Sequence, residues 1–380
     1  GVYTASLHKV VGTTLRFSVP HASKEEVDNG TMRGLKMEHD IDWDAMTFSL
    51  TKTDWMYMST CELGGAWGQG DIIPYAKFEI DPAAGVLNYG QGIFEGMKAH
   101  RSVQDRVVIF RALENAARFQ SGAARLGMPP VPESIFMHAV EQTVFSNKSW
   151  IPPSGKGALY IRPLLLGTGP IMGVAPAPEY TFLVYVTPVG PYFKGGLSNI
   201  DLIISDDYHR AAPGGSGGVK AIGNYAPGMM PSKEAKKAGF AEIIYLDAVN
   251  HAYIEEVGAA NFFCVKESKL YTPELTGTIL PGITRDSIIR LARHRGYDVS
   301  EELVSVDFAM QADEAFCCGT AAVISPIGSI TQGERKKTYL NGKVGPITRE
   351  LYNALVGIQT ELATDPFGWL HEVALNSSGM

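Results

Sequence analysis

The sequence predicts an α/β fold, arranged as two domains or one large α/β unit, and three observations carry that reading. The chain has 380 residues, more than a single hydrophobic core usually reaches. Hydrophobic residues make up 45% and charged residues 19%, the balance of a globular enzyme. Strand-sized apolar runs and helical spacing both occur along it, with no internal repeat of roughly 20 to 50 residues.

Taken in order, residues 1–40 read as an amino-terminal arm. Lys9, Arg16 and Lys24 stand among serines and threonines with no acid before Glu25, which suits the end of an organelle transit peptide or simply a mobile arm. Residues 41–186 are expected to form a small α/β domain. Within it "RVVIFRALENAARFQSGAARLGMPP" reads as a strand and then a helix near 113–126, with Leu113, Ala117, Ala124 and Leu126 on roughly helical spacing and Pro129 beyond its end. The break "TPVGPYFKGG", residues 187–196, places two prolines and three glycines after the strand-like "YTFLVYV" and is expected to link the domains. Residues 197–380 form the larger α/β domain. There "EIIYLD", "HAYIEEV", "NFFCVK" and "KLYTP" are short β-rich runs separated by turn residues, a hairpin-rich sheet. "ILPGITRDSIIRLARHRG" then gives a Pro-Gly turn, Thr284 as a cap candidate, Asp286 in the first turn and Gly296 as terminator of a helix of about 11 residues.

Charge and composition exclude several classes of function. A net charge of −7 and a pI near 5.8 leave no clustered basic footprint for nucleic acid or anionic lipid. No apolar run approaches the roughly 18 to 20 residues that span a bilayer. Cys61, Cys264, Cys317 and Cys318 lack the paired spacing of a zinc site, so no metal is expected and a reducing compartment fits best. Adjacent cysteines such as Cys317 and Cys318 rarely bond each other.

The chemistry centres on "GGVKAIGNYAPG", residues 217–228. A lysine held by glycine-rich, apolar backbone loses solvation of its charged form, which lowers its pKa and frees a nucleophilic amine able to form Schiff bases. Lys220 is therefore a catalytic candidate, against the ordinary reading of a solvated surface lysine. No G-x-x-x-x-G-K-[ST] phosphate loop is present. An aldehyde cofactor such as pyridoxal phosphate would also need an acid at its ring nitrogen, a donor at its phenolic oxygen and a phosphate cradle. Glu256 in "EEVGAANFF" could supply the acid or be a solvated turn residue. Tyr225 could be the donor or a core tyrosine. Ile283 and Thr284, opening a helix after Pro-Gly, offer amides and the favourable dipole end. Arg118 could add countercharge, or pair with Glu114 four residues before it. Gly319, Thr320 and Ala321 form a small-residue turn suited to an anion or to close packing.

In order and at the family's approximate spacings, "VLNYGQGIFEGMKAHR", "LYIRPLLLGTG", "GGVKAIGNYAP", "YIEEVGAANFF", "GTILPGITRDSI" and "FCCGTAAVISP" make residues 40–360 resemble the branched-chain amino acid aminotransferases. These belong to the fold type IV pyridoxal-phosphate enzymes, and the plant-type members are the nearest in pattern. The resemblance implies a two-domain fold with the cofactor at the domain interface. It implies that Lys220 is the Schiff-base lysine and proton shuttle, that Glu256 pairs with the ring nitrogen and Tyr225 with the phenolic oxygen, and that Arg118, Ile283, Thr284 and Thr320 hold the phosphate. Tyr89 and Arg162 match residues near the substrate's carboxylate or side-chain pocket, the amides of Thr320 and Ala321 match its carboxylate turn, and Phe94, Tyr160 and Tyr192 fall where the family lines the pocket with aromatics. A ping-pong transfer between L-leucine, L-isoleucine or L-valine and 2-oxoglutarate, a homodimer closing the pocket, and a chloroplast stroma ahead of a mitochondrial matrix follow as expectations. Mammalian relatives carry a Cys-x-x-Cys redox switch where this chain has Ala322 and Ser325, so no such switch is expected here. The alternatives are a D-amino-acid aminotransferase, an aminodeoxychorismate lyase, or a non-catalytic homologue that binds the cofactor.

Overall fold

Two β-sheets carry the chain, built mostly from strands that lie close in sequence. The computed structural model describes residues 40–193 and 195–375, so all of the amino-terminal arm except Asp40, Lys194 of the expected linker and the last five residues lie outside the described residues. The first sheet contains β1 (Trp55–Glu62), β2 (Asp71–Pro74), β3 (Gly92–Phe94), β4 (Met97–Arg101), β5 (Val107–Phe110), β6 (Ala158–Gly167) and β7 (Glu179–Val189). Its strands pair antiparallel, and β6 and β7 stay in register from Ala158↔Val189 to Gly167↔Tyr180. β7 thus takes in Thr187–Val189 of the segment expected to be linker.

Helix α1 (Ala112–Arg125) forms where helical spacing predicts it, and with α2 (Glu133–Ser146) it packs against this sheet. Its phase differs from the expected one. Ala112, Asn115, Ala116, Phe119, Gly122 and Ala123 are buried, while Leu113, Ala117 and Ala124 are exposed. Phe119 decides the phase: its ring meets Phe136 at 5.2 Å and Phe182 at 5.6 Å. Burying a phenylalanine stabilises by about 1.5–3 kcal/mol, much more than an alanine can offer.

The second sheet runs from β8 (Ile200–Ile204) through β9 (Glu242–Leu246), β10 (Ile254–Val257), β11 (Ala260–Lys266), β12 (Lys269–Pro273), β13 (Val299–Glu302), β14 (Glu314–Gly319) and β15 (Val323–Gln332) to β16 (Arg335–Thr338). Hairpins join β10 to β11 and β11 to β12, while β8 lies parallel to both β9 and β15. Both faces of this sheet are covered, which is why "NFFCVK" is continuously apolar. Phe262 and Cys264 enter one core and Phe263 and Val265 the other. By the same alternation Cys317 and Cys318 point to opposite faces, and all four cysteines are buried and free.

Helices α3 (Ile283–His294) and α4 (Pro346–Gln359) cover one face with Ile288, Ile289, Leu291, Leu351, Leu355 and Ile358. The cap of α3 is Gly282, not Thr284, which lies inside the first turn and is buried. A Cβ at Gly282 would sit 1.9 Å from Asn261 Oδ1, so a side chain there would displace Asn261 from its bonds to Glu256 and the Leu280 carbonyl. After α4 the chain returns to the first sheet as β17 (Leu370–Glu372), antiparallel to β5. The described residues from Ile41 onward form one compact unit. Among the described residues no helix is long and apolar enough to cross a membrane.

Candidate active site

The glycines around Lys220 let its loop lie against another backbone. A Cβ at Gly217 would come 2.2 Å from the Thr278 carbonyl oxygen. Asn224 then fixes the loop, donating from Nδ2 to the Ser216 carbonyl at 2.7 Å and the Val219 carbonyl at 2.9 Å while accepting from Ser216 Oγ at 2.6 Å. The loop docks on β3, where Phe94 N donates to the Lys220 carbonyl at 3.2 Å. Lys220 Nζ donates to Tyr225 Oη at 3.2 Å and lies 4.6 Å from the Phe94 ring centroid. Its side chain keeps some accessible surface while the ammonium itself is enclosed, and burial, aided by the Arg118 charge, lowers its pKa to about 8. Burial raises the Tyr225 hydroxyl to about 12, so it keeps its proton at neutral pH and can donate.

Glu256 is 2% exposed, not a solvated turn residue. It belongs to β10, and its Oε1 accepts from Asn261 Nδ2 at 3.0 Å and from the Leu280 amide at 3.1 Å. Oε2 meets Arg210 Nε at 2.5 Å as an ion pair yet accepts no hydrogen bond. Burial pushes the carboxyl up to about 7, with Arg210 opposing. Arg210 also donates to the Thr278 carbonyl at 3.1 Å, tying the acid to the backbone against which the lysine loop packs.

Arg118 pairs with Glu95, not with Glu114. Nε and Nη2 each reach a Glu95 carboxylate oxygen at 2.7 Å, and Nη1 donates to the Pro281 carbonyl at 3.2 Å. Glu95 is fully buried, which makes this fork a strong, fixed contact. Arg118 is thereby held beside the turn that opens α3, where the first-turn amides, including those of Ile283 and Thr284, have no intrahelical partner.

The Phe94 ring lies between Lys220 and Arg162. Arg162 stacks over its ring at 4.7 Å and over Tyr160 at 5.3 Å, and donates from Nη2 to Tyr160 Oη at 3.1 Å. Tyr160 and Arg162 are two apart on β6 and so share a face. Arg162 Nε is buried without a hydrogen-bond partner. A cavity of about 150 Å³ beside them is lined by Phe48, Leu50, Tyr160, Arg162, Tyr185 and Thr187. Phe48 contacts Tyr160 edge-on at 5.2 Å and Tyr192 at 6.4 Å. Tyr89 donates to the Met172 carbonyl and is 41% exposed.

Thr320 and Ala321 lie in the turn joining β14 to β15, whose closing residue Val323 has φ +65°, a strained conformation for a β-branched side chain. Lys98, reaching from the first sheet, donates to the Ala321 carbonyl at 2.5 Å. Among the described residues no hydrogen bond, ion pair or ring contact joins Tyr89, Tyr192 or this turn directly to Lys220. Sequence reasoning missed Glu95, Lys98, Arg210, Asn261 and Phe48. Glu95 and Lys98 sit inside the quoted "FEGMKA", where a carboxylate and an ammonium among apolar neighbours were the available signal; Arg210 and Phe48 carried none.

Residues 92–330 match the family Amino-transferase class IV. The chain is 50% identical over 330 residues to "Branched-chain-amino-acid aminotransferase 5, chloroplastic" of Arabidopsis thaliana, covering 87% of this chain and 80% of that one. It is 46% identical to "Branched-chain-amino-acid aminotransferase 1, mitochondrial" of the same plant, covering 92% and 91%. The crystal structure of the branched-chain amino acid aminotransferase from Thermobaculum terrenum in its PLP-form superposes with a TM-score of 0.73 at 25% identity, covering 86% of this chain and all of that one. With a lysine, a tyrosine, a buried carboxylate and an arginine gathered on that shared fold, the chain belongs to the class IV aminotransferases, within their branched-chain-amino-acid aminotransferase family.

Proposed function

We propose that this chain transfers the amino group reversibly between L-leucine, L-isoleucine or L-valine and 2-oxoglutarate, with Lys220 as its catalytic base. The observation that carries the assignment of Lys220 is an enclosed amine, its pKa lowered to about 8, within hydrogen-bonding distance of Tyr225. The chain is a pyridoxal-phosphate-dependent transaminase, and three local features fit that cofactor. Glu256 Oε2 is buried and ion-paired with Arg210 but accepts no hydrogen bond, and it can accept one from a ring N–H. Tyr225 Oη keeps a proton for a phenolic oxygen. Arg118 and the first turn of α3 gather positive charge and backbone donors for a phosphate.

When bound, pyridoxal phosphate supplies an aldehyde for the amino group and a ring that withdraws electrons from the substrate's α-carbon. Lys220 Nζ, above the Phe94 ring, takes the α-proton and returns it on the same face. Glu256, anchored by Asn261 and Leu280, keeps a carboxylate where a protonated ring nitrogen needs one. Phe94, Tyr160 and Phe48 give apolar surface for a branched side chain, while Arg162 and Tyr160 Oη offer donors for the second carboxylate of glutamate. The Thr320 and Ala321 amides bind the α-carboxylate, with Tyr89 and Tyr192 closing the pocket.

The assay that tests this compares L-leucine plus 2-oxoglutarate with D-alanine and with aminodeoxychorismate; turnover of either of the latter without the former overturns the reading. Arg162→Met is expected to raise KM for 2-oxoglutarate by roughly 10- to 150-fold, the equivalent of a charged hydrogen bond of about 1.5–3 kcal/mol. KM for a branched-chain 2-oxo acid should change far less, and equal losses would contradict the role. Because burial lowers the lysine from 10.5 to about 8, the uncharged amine is present above about 8. Capture of pyridoxal phosphate by cofactor-free protein should therefore rise roughly tenfold per pH unit below that point and level off above it. A rise continuing toward pH ~10 contradicts an enclosed amine.

The proposed division into domains 41–186 and 197–380 is supported by the way strands β1–β7 and β8–β16 separate into two sheets, with β17 alone crossing back to the first among the described residues. A homodimer is part of the same proposal, in which a second copy would cover the exposed Met172 and Val174, 85% and 88% accessible. A plastid location rests on the relative named chloroplastic, with the mitochondrial matrix as the second reading.

A further inference from the structure

Arg111 stands at the end of β5 and caps α1 in a left-handed conformation, φ +51°, with only 5% of its surface exposed. Its guanidinium leaves α1 and enters the first turn of α3, donating from Nη1 to Asp286 Oδ2 at 2.6 Å, Ser287 Oγ at 2.9 Å and the Ile283 carbonyl at 3.4 Å. Nε donates back to Glu114 Oε1 at 3.0 Å, so the planar fork is held from both helices at once. A third segment closes the cluster: the Trp369 ring lies 5.2 Å from the guanidinium carbon, and the Arg111 amide donates to the Trp369 carbonyl at 2.8 Å. The Arg111 carbonyl meanwhile accepts from Asn115 Nδ2 at 2.8 Å, locking the first turn of the helix that carries Arg118.

The two halves of the anion cradle come from different helices, Arg118 from the middle of α1 and the Ile283 and Thr284 amides from the start of α3. One direct contact, Arg118 Nη1 to the Pro281 carbonyl at 3.2 Å, joins them. Arg111 is the other tie, and it is shorter-ranged and better buried. We infer that Arg111 is a positioning residue for the cofactor's phosphate: it touches no part of the cofactor but sets the spacing between Arg118 and the α3 amides. This rests on the proposed placement of pyridoxal phosphate in the Lys220 site.

Affinity for two probes tests it, pyridoxal phosphate and pyridoxal, which shares the ring and aldehyde but has no phosphate. In the parent protein, failure to bind either probe would overturn the site reading itself, not this inference. With binding established, Arg111→Met should weaken pyridoxal phosphate by roughly 10- to 100-fold, the loss usual when a residue supporting a ligand set is removed, and leave pyridoxal within about twofold. Arg111→Lys should fall between, since an ammonium cannot span both helices. Should Arg111→Met fail to fold, Asp286→Ala removes its closest acceptor on α3 and should shift the two affinities apart in the same direction by a smaller factor. Equal weakening of both probes, or pyridoxal phosphate affinity unchanged within twofold, would overturn the inference.

Discussion

Lys220→Ala is expected to lower turnover of L-leucine by about 10²- to 10⁴-fold, the range supplied by a positioned general base. Among the described residues, the groups facing it cannot replace it. The Tyr225 hydroxyl is pushed to about 12 and holds its proton, and Arg118 and Arg162 are cations that never deprotonate in a protein. Folding should survive the change. The two arginine charges both disfavour the lysine's own, so removing an enclosed ammonium relieves repulsion as well as desolvation. The melting temperature should hold or rise while turnover collapses, and a thermal melt run beside the assay separates the two effects. Retained turnover, or a loss that tracks unfolding, contradicts the assignment of the base.

The second large effect concerns Glu256. Glu256→Ala leaves Arg210, only 7% exposed at its side chain, without its 2.5 Å partner, and removes the acceptor for Asn261 and the Leu280 amide. Breaking a buried pair from one side costs about 3–5 kcal/mol, which a urea melt of the cofactor-free protein can measure. Glu256→Gln isolates the charge. The amide oxygen can still accept from Asn261 and Leu280 and the side chain fills the same space, so stability should fall less than in Glu256→Ala although Arg210 still loses its anionic partner, and a neutral amide stabilises ring-nitrogen protonation poorly. A loss of about 10²- to 10³-fold in turnover is expected, as for removal of one preorganised electrostatic group. Full activity in Glu256→Gln would remove this carboxylate from the chemistry.

Elements were legible in the sequence wherever a local pattern controls them. The strands "EIIYLD", "NFFCVK" and "KLYTP" form where β-rich runs meet turn residues, and α3 begins at Pro-Gly and ends before Gly296. The phase of α1 was not legible, because four small or branched apolar residues mark one stripe while a single ring, Phe119, buries another. Contacts spanning long separations escaped for the same reason. Glu95 lies 23 residues from Arg118, whereas Glu114, at helical spacing, looked like the natural partner and instead holds Arg111. Arg210 reaches Glu256 across the fold, and β17 returns from the far end of the chain to pair with β5; neither leaves a periodic trace. Lys220 stood out because glycines on both sides are a local signal, and the Thr278 carbonyl packed against Gly217 is their cause.

Borohydride reduction of the pyridoxal-phosphate-loaded protein, followed by peptide mass mapping, addresses the central claim most directly. Lys98 makes the comparison exacting, since burial also lowers its pKa to about 8 and its ammonium is fully enclosed. A phosphopyridoxyl group on the peptide containing Lys220, and on no other, is the expected outcome. The same mass on the Lys98 peptide, or spread over exposed lysines with Lys220 unmodified, would contradict it.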